Sequence, residues 1–143
     1  MNLSEAERAF IDAHRVGHLA TADTSGVPHV IPICYARLGD RLYFVVDDKP
    51  KRRGPRVLKR LANISENPRV ALVIDDYGDD WSRLAYLLLH CNAALVDCDA
   101  EYEAALATLR ERYRPYQAMQ LHPARHPMVR MEPYRSHFWR ASV

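Results

Sequence analysis

The sequence predicts a mainly β protein, a six-stranded antiparallel barrel flanked by short helices. Strand-like apolar runs recur at 16–22, 27–37, 41–47, 69–75 and 82–97, with a sixth after Pro127. Two tight-turn signals, "DTSG" and "LGD", separate the first three runs. Helical spacing is confined to three stretches. At 143 residues and 48% hydrophobic, the chain is the size of one compact domain that buries a core without disulfides. Residues 1–143 are therefore expected to form a single domain.

Ser4 and Glu7 make an S-x-x-E capping box, and Ala6, Phe10, Ile11 and His14 then recur at helical spacing, so a helix is expected over 4–15. The next three runs read as an antiparallel meander. In "PRVLKRLANISEN", Val57, Leu58, Leu61 and Ile64 share a helical face with Pro55 near the first turn. A short helix ending near Asn67-Pro68 follows from that pattern. "RVALVID" reads as a strand and "DYGDDW" as a polar loop. "SRLAYLLLHCNAALVD" fits strand or helix by composition; strand is the reading that lets a six-stranded sheet close. From Asp99, Tyr102, Ala105, Leu106, Leu109 and Tyr113 line one face of a helix that opens with acids and closes with Arg112 and Arg114. The tail supplies the last strand, interrupted at Pro133.

The formal net charge is only +2, which argues against a general polyanion binder. Cys34, Cys91 and Cys98 are odd in number and contain no C-x-x-C pair, which argues against a disulfide framework. The start "MNLSEAERAF" is unlike a signal peptide, and "LAYLLLHCNAALV" is too short to cross a bilayer. The expectation is a cytoplasmic protein with neither a membrane nor a nucleic acid as partner.

Against that neutral background, "DDKPKRRGPRVLKR" (47–60) packs together Lys49, Lys51, Arg52, Arg53, Arg56, Lys59 and Arg60. It has no aromatic residue for base stacking. A charge run is commonly a solvated face. This one, however, follows an apolar strand and leads into a helix start, whose free N–H groups favour a phosphate.

The order "HLATADTSGVPHVIPI", "LYFVVDDKPK", "LKRLANISENPRVALVID" and "DWSRL" resembles the pyridoxamine 5′-phosphate oxidase-like split barrels, within them the branch of F420-dependent enzymes. The resemblance runs from about residue 4 to Trp139. It implies the six-stranded antiparallel FMN-binding split barrel and a homodimer with the cofactor at the subunit interface. Carried over, it implies that Lys51 holds the cofactor phosphate with help from Lys49 and Arg52. Val30, Ile31 and Pro32 would flank the ring, followed by Val46 and Asp47, with Tyr77 and Trp81 supplied by the second subunit. Trp139 resembles a tryptophan of the oxidase branch.

The activity implied is hydride transfer between reduced deazaflavin and an organic small-molecule substrate, with no side-chain nucleophile required. The loop lacks the serine and threonine hydroxyls frequent around FMN, and its excess of cations suits F420, which carries more negative charge. The alternatives are an FMN-binding oxidase or reductase, or a protein that binds F420 or flavin without turnover. His29 could hydrogen-bond the ring from its strand, although a strand histidine is commonly packed.

His122 and His126 in "HPARHP" have the spacing of a helical metal pair, but Pro123 and Pro127 favour a loop with two solvated histidines. Cys34 is expected in the core. The acids of "DDYGDD" read as a solvated hairpin connection, and no metal site is expected.

Overall fold

The computed structural model describes residues 1–47 and 58–142. The chain runs α1 (Glu5–Ala13), β1 (Gly17–Ala22), β2 (Pro28–Ile33), β3 (Ala36–Leu38), β4 (Arg41–Val45), α2 (Lys59–Glu66), β5 (Arg69–Asp76), β6 (Ala85–Leu95), α3 (Asp99–Arg112) and β7 (Met128–Arg140). Short 3-10 turns lie at Trp81–Arg83 and Arg114–Ala118. No described helix is long and apolar enough to cross a membrane.

The sheet has seven strands, not six, in the order β2-β1-β5-β6-β7-β4-β3, and each described ladder is antiparallel. The expected run 27–37 breaks at Cys34-Tyr35, because Tyr35 turns its ring fully into the core. Its first half pairs with β1 and its second with β4. The predicted three-stranded meander is thereby split between the two ends of the sheet. The barrel does not close: no ladder among the described residues joins β2 to β3.

The capping box forms as predicted, with Glu7 N–H donating to Ser4 Oγ at 3.1 Å and Ser4 N–H to Glu7 Oε1 at 2.8 Å. The segment 82–97 is a strand rather than a helix. The α3 helix ends at Arg112, and Tyr113 leaves helical geometry before the 3-10 turn. At Pro133, which has no N–H for a ladder, β7 carries a bulge: Cys91 faces Pro133 while His90 faces Arg135, leaving Tyr134 extra.

Two clusters fill the interior. Leu19, Leu72, Ile74, Leu87, Leu89, Val129 and Met131 form the inside of the curled sheet, closed by Phe10 and Ile11 of α1 and Ile64 of α2. The second lies between β4 and α3, around Tyr43, Tyr102, Leu106 and Leu109. The opposite face of β1, β2, β5, β6 and β7 is different. Register puts Pro32, His18, Val73, Leu88 and His137 in one row across it. Val30, Ala20, Ala71, His90 and Arg135 form the adjacent row, and Asp75, Tyr86 and Trp139 a third. The residues of this face are half-buried or exposed.

Candidate functional site

The break in β2–β3 that ends the meander also opens a cleft. Its cavity of about 410 Å³ lies between the end of β2 (Pro32, Ile33, Cys34), the end of β4 (Phe44, Val45, Asp47), Arg60 of α2, and the turn after α3 (Tyr113, Pro115, Tyr116, Met119), with Val16 beside β1. The walls are mainly apolar. No histidine lines it among the described residues.

Its charged groups are Asp47 and Arg60. Arg60 stands in the first turn of α2, whose N-cap Leu58 offers no side-chain oxygen to the free N–H groups. Its Nε is buried and has no hydrogen-bond partner among the described residues. Loss of solvent lowers the guanidinium pKa, opposed by the nearby Asp47 carboxylate. Tyr116 is buried, its phenol pKa raised chiefly by desolvation and further by the neighbouring Cys34.

The β2 edge of the cleft has a polarity fixed by its sequence. In an antiparallel pair, alternate residues turn their N–H and C=O toward the partner. Pro28 and Pro32 have no N–H, so the ladder to β1 uses His29, Ile31 and Ile33. The free edge therefore presents the carbonyls of Pro28, Val30 and Pro32 and a single N–H, that of Val30. This pattern blocks addition of another strand and leaves groups that a planar heterocycle can meet.

Behind the cleft, α2 lies on β1. Asn63 is fully buried and donates from Nδ2 to Thr21 Oγ1 at 3.0 Å, while its Oδ1 has no partner among the described residues. Thr21 is the cross-strand partner of His29, whose buried Nδ1 is also without a partner there.

The other wall is fully bonded. Arg112 donates to the carbonyls of Tyr35 and Asp12, each at 2.9 Å, and to that of His14. The Tyr35 hydroxyl meets the carbonyls of Ile11 at 2.7 Å and His14 at 2.9 Å. The Tyr113 hydroxyl meets those of Arg15 and Tyr35, both at 2.8 Å, and accepts from Tyr35 N–H at 3.0 Å. These side chains take the carbonyls that the C-terminus of α1 leaves unused.

Of the ten residues named from sequence, Pro32 and Asp47 line the cleft. Val30 is exposed and Ile31 half-buried on the same strand, and Val46 is buried beside Asp47. Tyr77 and Trp81 are 73% and 68% exposed on the β5–β6 connection and do not line the cleft. Lys49, Lys51 and Arg52 lie outside the described residues. Cys34 is not a core residue but half-buried in the cleft wall. Arg60, Tyr113 and Tyr116 were not nominated; the signals were the last cation of the basic run and two tyrosines spaced around Pro115.

The expectation of two solvated histidines fails at His126, which is 2% exposed. Its Nδ1 accepts from His122 N–H at 3.0 Å and its carbonyl from the Tyr102 hydroxyl at 2.7 Å. No group of three or more His, Cys, Asp or Glu among the described residues is arranged to hold a metal.

A curled sheet of this strand order, left open at one slot, defines a split-barrel protein. The chain belongs to the pyridoxamine 5′-phosphate oxidase family, whose model matches residues 3–139. Among solved structures it is similar to the conserved hypothetical protein Rv2991 from Mycobacterium tuberculosis, at 25% identity and a TM-score of 0.74 over 96% of this chain and 85% of that one. It also resembles an FAD-binding protein from Mesorhizobium loti, at 21% identity and TM-score 0.70 over 95% and 94%. HutZ, the heme storage protein from Vibrio cholerae, matches at 17% identity and TM-score 0.70 over 98% and 95%. These last two share the fold. No curated protein matches the chain.

Proposed function

We propose that this chain is an F420-dependent oxidoreductase of the pyridoxamine 5′-phosphate oxidase class, assembled as a homodimer with the deazaflavin in the cleft between β2 and β4. One observation carries the reading: Arg60, a half-buried guanidinium, lines an apolar slot, and its Nε is buried without a hydrogen-bond partner among the described residues. A cation left desolvated there favours an anionic ligand, and hydrogen bonds to charged groups are the stronger kind. The apolar walls and the carbonyl-rich edge of β2 fit the ring of a flavin or deazaflavin. Such a cofactor, when bound, supplies the atom that carries hydride.

The protein's part is placement and exclusion of water. Arg60 would hold an anionic group of the cofactor, joined by Lys49, Lys51 and Arg52. Pro28, Val30 and Pro32 would orient the ring through the free strand edge, and Phe44, Val45 and Met119 would keep water from it. The opposite sheet face, with Val30, Pro32, Val73, Leu88, Tyr86 and Trp139, is an apolar surface suited to a second copy, and Pro32 belongs to both face and cleft. Tyr77 and Trp81 would then approach the partner's cleft. A haem reading, suggested by the Vibrio relative, lacks a histidine on the described cleft walls.

The test is a fluorescence titration of the purified chain with F420 and, separately, with FMN. Preference for F420, weakened about tenfold or more by Arg60→Ala, is the expected result. Preference for FMN would make it a flavin oxidase or reductase, and binding of neither would end the cofactor reading.

A further inference from the structure

Three of the seven histidines stand on one surface, the open face of the sheet. His18 on β1, His90 on β6 and His137 on β7 are placed there by register, His18 and His137 in the same row and His90 in the next. None of the three makes a hydrogen bond or ion pair among the described residues. Aromatic rings lie near two of them, the His137 ring 5.7 Å from Tyr86 and the His90 ring 6.2 Å from Tyr134, and Arg135 stands opposite His90. Five strands make this face about 20 Å across, broad enough for a protein partner.

The remaining ionisable groups on it include Arg69 and Asp75 of β5, Tyr86 of β6, and Glu132 and Arg135 of β7, Glu132 standing in the row of Arg69 and Asn92 and bridged to Arg41 and Arg130; β2 contributes Pro28, Val30 and Pro32. The guanidinium of Arg69 lies over the Tyr134 ring at 5.5 Å. With neutral imidazoles the face holds Arg69 and Arg135 against Asp75 and Glu132. Protonation of all three histidines adds three positive charges and no compensating anion.

We propose that this face self-associates only while His18, His90 and His137 are neutral, so that assembly of the dimer is controlled by protons. The argument rests on the homodimer reading given above. A two-fold interface sets a patch against itself, so each charge gained on one copy is gained on the other within the same interface. Imidazoles as a class take up a proton between about pH 8 and pH 5. A charged imidazole covered by a second copy loses solvent and meets like charge, both of which oppose the charged form. The separated chains therefore bind more protons than the dimer, and association strengthens as pH rises. Pro32 ties this face to the cleft, so acid would expose the cofactor slot as it separates the copies.

Sedimentation velocity on the full chain, at about pH 8 and about pH 5.5, tests this. The dimer Kd is expected to rise about tenfold or more at the lower pH. A triple variant, H18Q with H90Q and H137Q, should remain dimeric at both, since all three positions lie on the open face, two exposed and His90 half-buried, outside the core. An unchanged wild-type Kd overturns the proton control while leaving the dimer in place. Equal acid dissociation of the triple variant shows that other groups are responsible and overturns it too. A monomer at both pH values removes the homodimer reading, and the proposal with it.

Discussion

The two walls of the cleft differ in how their polar groups are used. On the side of α1 and α3, Arg112, Tyr35 and Tyr113 spend their donors on backbone carbonyls, and the guanidinium of Arg112 also lies 5.1 Å from the Tyr35 ring and 5.3 Å from the Tyr113 ring. On the side of α2, Arg60 Nε, Asn63 Oδ1 and His29 Nδ1 are buried without partners among the described residues. A buried polar group without a partner costs about 1–3 kcal/mol, so the second wall is tolerated rather than optimised. The first wall holds the shape of the cleft; on the second, Arg60 alone of these three residues lines it.

Breaking the bonded wall should have the largest effect. Arg112→Ala removes three hydrogen bonds from a charged donor, to the carbonyls of Tyr35, Asp12 and His14, the first and last of which keep a tyrosine hydroxyl, and a loss of about 3 kcal/mol is expected in urea unfolding. A loss below about 1 kcal/mol would mean that the clasp is dispensable and the contrast between the walls empty.

A smaller effect, one that fades in acid, tests the same distinction on the second core. Glu101 receives the Tyr43 hydroxyl at 2.6 Å and Arg130 at 2.8 Å, and these, the phenol first, hold its carboxylate below the ordinary value of 4.5 against desolvation. The folded pKa is depressed, so the stabilisation is complete above the unfolded value and fades as pH falls through the folded one. Tyr43→Phe should therefore cost most at neutral pH, and the variant and wild type should converge as pH falls through the folded value, which urea unfolding at neutral and acid pH reads. A loss of equal size at both pH values would show that the phenol does not act through the Glu101 carboxylate.

The bonded wall was hard to read from sequence, and the open wall was partly legible. The capping box at Ser4 and Glu7 and the apolar face of α3 depend on neighbours within a few residues and formed as expected, whereas β6 was ambiguous locally and readable as a strand only through the sheet it completes. The break at Tyr35 did not announce itself, because it depends on Ile11, His14 and Tyr113, and Tyr113 is 78 residues away. A continuous apolar run from 27 to 37 reads as one strand until tertiary contacts turn one of its rings inward. The same break changed the strand count and created the cleft. Pro32 and Asp47 were visible as cleft residues through the family resemblance, whereas Arg60 was hidden as one cation among seven. The histidine face became visible only once register placed residues from three strands side by side.

The smallest net effect is the sharpest test of the α2 wall, because it separates a polar pair kept for stability from one kept for another reason. Asn63 and Thr21 satisfy each other once, at 3.0 Å, and either orientation of the amide leaves one of its two ends without a protein partner. Thr21→Val alone removes the single bond and strands the whole amide in a buried site, which should cost about 1–3 kcal/mol. Adding Asn63→Leu replaces both polar groups by apolar ones of similar size, and most of that loss should return, to within about 0.5 kcal/mol of wild type. Urea unfolding of the four proteins of this cycle gives the answer. A double variant as damaged as the single one would mean that Asn63 is fixed by packing around α2. Recovery of stability would show that folding does not require the polar pair.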